Sequence, residues 1–80
     1  MLIMSDIDKN TFRLHVLLAS CKDYTYLNSL SKTKDFQIST LCRQVCTESA
    51  EWVDEILSLD AEKVNKNALI DKFIRIVKHL

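Results

Sequence analysis

The sequence contains no glycine and no proline. Tight primed turns and glycine-capped hairpins therefore lack their usual residues, which disfavours an all-β fold. A glycine-rich loop that cradles phosphate cannot be built either, which removes the common nucleotide-binding motifs. Helix ends that need a left-handed residue must use asparagine, and Asn28, Asn65 and Asn67 are the candidates. Long apolar runs are missing as well. The start, Met1-Leu2-Ile3-Met4, is apolar for only four residues, far short of a signal core or a membrane span. The three cysteines, Cys21, Cys42 and Cys46, are an odd number, unlike the even sets of small secreted domains. Reduced thiols in a cytoplasmic protein are the expectation. Net charge is zero, but the charges are not mixed evenly, and the two ends of so polarised a domain would prefer different partners.

What is present points to helices. Eighty residues with 48% apolar content make one domain, expected over 1–80 with residues 1–6 fraying. The fold class expected is all-α: a small compact bundle of about four helices. In "DKNTFRLHVLLASC", capped by Asp8 or Asn10, Phe12, Val16 and Ala19 share one stripe that Leu14, Leu17, Leu18 and Cys21 widen. Asp23 caps a short second helix with Tyr24, Leu27 and Leu30 on one side. "SKTKD" reads as a polar loop, after which Asp35 or Ser39 opens the next element. Asn67 caps "ALIDKFIRIVKHL", where Leu69, Phe73, Ile76 and Leu80 form one row and Ile70, Ile74 and Val77 another. So wide an apolar face implies either a central helix or one whose surplus face binds something, a second copy of the chain included.

The stretch "LCRQVCTESAEWVDEIL" admits three readings. As a helix-turn-helix, it would turn at Thr47 and present Glu48, Glu51, Asp54 and Glu55 to a phosphate backbone, which repels them. As a metal site, Cys42 and Cys46 share a helix face, and Cys21 with His15 or His79 would complete four ligands. A single CxxxC is weak support, and buried cysteine is common. As a plain amphipathic helix, Leu41, Val45, Ser49, Trp52, Ile56 and Leu59 recur at helical steps. The third reading is favoured, as one continuous helix over 39–59, although Thr47 and Glu48 could start a new one.

Charge is polarised along the chain. Residues 48–62 hold six acids and no base, whereas residues 63–80 hold five bases against Asp71 alone. No nucleophile–base pattern accompanies His15 or His79, so no enzyme and no cofactor are expected. Trp52 is expected in the core, with interface anchor as the sharper alternative. Tyr24 and Tyr26, two apart, cannot both face inward.

The run "NTFRLHVLLASCKDYTYLNSLSKTKDFQISTLCRQVC", together with the length and the helical make-up, resembles the lysis-inhibition accessory proteins of T-even bacteriophages. The resemblance covers essentially the whole chain and rests on no short motif. It implies a non-catalytic cytoplasmic antiholin, at work in the host cytoplasm, that binds the cytosolic domain of the phage holin and delays lysis. The contact residues expected from residue type are Tyr24, Tyr26, Glu48, Glu51, Trp52, Glu55 and Phe73. The alternative is a small nucleic-acid-binding regulator of helix-turn-helix type, or one that uses the basic terminal helix.

Overall fold

The computed structural model describes residues 5–80; the expected fraying of 1–6 falls, for residues 1–4, outside them. Among the described residues the chain forms five α-helices and a 3-10 turn, with no strand. They are α1 (Asp6–Ala19), α2 (Tyr24–Thr33), α3 (Ile38–Glu48), α4 (Ala50–Leu57), the 3-10 turn Ala61–Lys63, and α5 (Lys66–Lys78). The all-α class is as expected. The fifth helix arises because the stretch expected to be one helix over 39–59 divides at Ser49.

That division needs no glycine. Ser49 takes φ −130° and ψ 46°, outside the helical region. Its N–H donates to the Val45 carbonyl at 2.8 Å, and its own carbonyl accepts from the Val53 N–H at 3.0 Å, so it ends one helix and starts the next. The new direction carries α4 across to α1. There Asn10 Nδ2 donates to Asp54 Oδ1 at 3.2 Å, and Arg13 Nη2 donates to the Leu57 carbonyl at 2.8 Å. The latter satisfies one of the free carbonyls at the end of α4.

Other boundaries also differ from the sequence expectation. Ser5, not Asp8 or Asn10, caps α1, accepting from the Asp8 N–H at 3.1 Å. Helix α2, expected over YTYLNSLSK, runs one residue further to Thr33 and takes up the first three residues of the polar SKTKD stretch. The residue that turns left-handed is Asp35, at φ 55°, rather than an asparagine. The Phe36 N–H then donates back to the Ser31 carbonyl at 3.0 Å, the six-residue bond of a Schellman ending. Gln37, not Asp35 or Ser39, precedes α3. Asn65, two residues before the expected Asn67, caps α5 by accepting from the Ala68 N–H at 3.1 Å.

The core follows one choice on α1. Phe12 and Leu14 are two residues apart, hence roughly 200° apart around the axis, so only one can face inward. The structure turns Leu14 and Leu18 inward at 0% exposure, and Phe12 and Val16 outward at 66% and 55%, which reverses the stripe expected for this helix. Leu14 and Leu18 join Leu27 of α2, Leu41, Cys42 and Val45 of α3, Val53 of α4, and Leu69, Ile70, Phe73 and Val77 of α5 in a single cluster. Helix α1 packs chiefly on α3, and α2 chiefly on α5. Across the latter pair, Lys34 Nζ donates to the Val77 carbonyl at 3.0 Å.

Phe73 is the largest fully buried side chain. Its replacement by Ala is expected to cost about 3–5 kcal/mol, most of the stability of so small a domain, as read by urea unfolding. Asn65→Ala, which removes one cap, should cost about 1 kcal/mol in the same assay.

Candidate functional site

Turning Leu14 and Leu18 inward leaves the second apolar row of α1 at the surface. Across from Phe12 and Val16 stand Ile56 and Leu57 of α4, then Leu59 and Val64 on either side of the 3-10 turn. Together they line an apolar groove of about 460 Å³. Phe12, Val16 and Leu59 are all exposed, while Ile56, Leu57 and Val64 are half-buried. Scattered exposed apolar residues are ordinary on a soluble protein; several gathered in one concavity mark a binding surface.

Two cations, Arg13 and Lys66, line the same groove, and no carboxylate does. Among the described residues the ion pairs are Arg43–Asp8, Lys63–Asp60 at 3.9 Å and Arg75–Asp71 at 2.8 Å, so neither groove cation is engaged in one. The Arg13 fork is anchored through one nitrogen to Leu57, and its other N–H groups remain available.

The residues expected to make partner contacts do not form one surface. Trp52 and Glu55 line a neighbouring hollow with Ile56 and Leu59. Trp52 is half-buried, and the Lys72 ammonium lies over its ring, 4.4 Å from the centroid. Glu48 and Glu51 are exposed on α3 and α4. Tyr24 and Tyr26 belong to α2: the Tyr24 hydroxyl lies 3.2 Å from His15 Nε2, and the ring of the exposed Tyr26 lies 6.0 Å from Lys78 Nζ. Phe73 is a correction. Fully buried on α5, it offers nothing to a partner. Phe12, Val16 and Leu59, which sequence reasoning placed in the core, are the surface it missed. The available signal was that α1 carries apolar residues on two opposed sides and only one can be covered.

The remaining chemistry is sparse. Cys21, Cys42 and Cys46 are free and buried. Burial pushes all three thiols up, Cys42 to about 12 with the neighbouring Cys46 adding to it. A raised thiol is a poor nucleophile and a poor metal ligand at neutral pH. Among the described residues no three His, Cys, Asp or Glu side chains gather as a metal site would require. The charge argument against a DNA-reading α4 gains detail: its sequence, AEWVDEIL, holds no cation, and Glu51, Asp54 and Glu55 are exposed. On α5, Arg75 is paired with Asp71 and Lys72 is seated on Trp52. No helix among the described residues is long and apolar enough to cross a membrane. No family model, curated protein or solved structure matches the chain.

The thiols set a pH dependence. In the unfolded chain Cys42 ionises near the ordinary 9.0, and in the folded chain only near about 12. The folded state therefore holds an extra proton between those values, and its stability, whole below about pH 9, declines as pH climbs toward 12. Urea midpoints measured from pH 8 upward should fall for the native chain, with a shallower fall for Cys42→Ala.

Proposed function

We propose that the chain is a non-catalytic binding module that acts by holding a segment of another protein, in the manner of a cytoplasmic antiholin. The observation that supports this reading is the apolar groove between α1 and α4, where Phe12, Val16 and Leu59 stand at 66%, 55% and 46% exposure. Full burial of such a side chain is worth about 1.5–3 kcal/mol, so leaving these three about half exposed forgoes roughly half of that for each. A helix laid in such a groove recovers that gain.

The resemblance to the T-even lysis-inhibition proteins supplies the partner for this reading, the cytosolic domain of a phage holin. Occupying that domain would withdraw it from holin assembly by mass action, which delays lysis without any reaction being catalysed. The host cytoplasm is the compartment in which such a contact is made. Of the contact residues expected from sequence, Trp52 and Glu55 border the hollow next to the groove and belong to the same proposal. Tyr24, Tyr26, Glu48 and Glu51 lie outside the groove and enter it only as a flanking surface.

The test is retention of an immobilised holin cytosolic domain, with infected-cell lysis timed in parallel. Phe12→Ser combined with Val16→Ser should abolish both retention and lysis delay while the far-ultraviolet helix signal and urea midpoint stay within about 0.5 kcal/mol of the parent, because both side chains are exposed. Retention undiminished in this variant would exclude the groove. A shift of generic DNA at low salt, lost steeply as salt rises, would favour the nucleic-acid reading instead.

A further inference from the structure

We infer that the groove takes about two turns of an amphipathic helix whose apolar row is flanked by carboxylates, presented by a protein partner. The inference rests on the binding-module reading and adds the chemistry of the occupant.

Three observations select that occupant. The first is length. Along α1 the groove runs from Phe12 to Ser20, eight residue steps, or about 12 Å of helix at 1.5 Å per residue. That span accepts apolar side chains at i, i+4 and i+7 of a partner helix, and little more. The second is shape. Two helices and the 3-10 turn wall the groove, so its floor at Leu17, Ile56 and Leu57 is recessed between the projecting Phe12 and Leu59. A bilayer surface reaches raised side chains, whereas a helix reaches a recessed floor. The third is charge. Arg13 and Lys66 line the groove with no carboxylate lining it, in a chain whose acids and bases are otherwise equal in number. Both have hydrogen-bond donors left over, and Lys66 is the first residue of α5, at the positive end of that helix's dipole. An acidic flank on the occupant meets that rim favourably, and a basic flank meets it with like charge.

The affinity expected is modest. A contact of about two turns is a small interface, below the roughly 1,200 Å² of stable complexes, which suits a hold that has to be released.

The test uses the full chain and three labelled helical peptides of roughly 12 residues, about three turns. They share one leucine row and carry Glu, Gln or Lys beside it. Fluorescence anisotropy at low salt should rank them Glu, Gln, Lys, with the Glu peptide at least about tenfold tighter than the Lys peptide. The gap should close at about 1 M salt, where the screening length is ~3 Å. Lys66→Glu, which places a carboxylate where a helix start tolerates it, should weaken the Glu peptide several-fold and strengthen the Lys peptide. Phe12→Ser should remove binding of all three.

Equal affinity for all three peptides would overturn the charge assignment and leave groove docking standing. Binding of none, with the holin domain still retained through Phe12 and Val16, would overturn the helical occupant and leave the binding-module reading intact. Sedimentation of the chain as a dimer that Val16→Arg dissociates would give the groove to a second copy, and co-sedimentation with anionic vesicles would give it to a membrane surface. Either result overturns the inference.

Discussion

Leu69, Phe73 and Val77 lie along one side of α5, and covering that row constrains the helices packed on it. Phe73 has no exposure, and α5 touches both α2 and α1. The helices that close over it must bring their own most apolar rows, which for α1 means Leu14 and Leu18. A helix of that composition then has a second row left over. Among the described residues no further helix covers Phe12 and Val16. The groove is in this sense a by-product of the core: the same rotation of α1 that seals the interior exposes the apolar row that lines it.

Polar interactions refine this arrangement more than they create it. The ion pairs Arg43–Asp8, Lys63–Asp60 and Arg75–Asp71 are exposed and contribute little each. Asp8 is held below the usual carboxylate range by the hydrogen bond from Arg43, with Ser5 assisting. The ties from Asn10, Arg13 and Lys34 matter differently, because each joins residues more than forty apart in sequence. They fix where helix ends sit. Among the described residues every buried side-chain polar atom has a partner, which is what a small core requires.

The sequence made the class of fold plain and much of the core with it. Leu69, Ile70, Phe73 and Val77 of the two α5 rows, and Leu27 of the α2 row, were readable as core from their helical spacing, whereas Leu80, expected at the end of one α5 row, is 66% exposed. The cysteines were readable as core for the same reason. Helix α1 was not, since Phe12, Leu14, Val16, Leu17 and Leu18 surround much of its axis and periodicity alone cannot say which side wins. The break at Ser49 was hidden because no helix-breaking residue marks it; its cause is the packing of α4 on α1, through contacts to Asn10 and Arg13 far away in the chain. The groove joins residues from 12 to 66, and its one local sign is the pair of opposed apolar sides on α1. Phe73 shows the reverse failure: an aromatic side chain looks like an interface anchor from its type, and only its neighbours reveal that it is enclosed.

The pairing of α2 with α5 also orders events in time. Helix α1 finds its main neighbour, α3, complete by Glu48, so these two can associate before α5 has been made. Helix α2 cannot. Its chief contact is α5, and the clasp from Lys34 reaches Val77, 43 residues onward. Until α5 has been made, Leu27 lacks the helix that chiefly packs on α2, and an incompletely covered apolar row is the kind of surface chaperones hold.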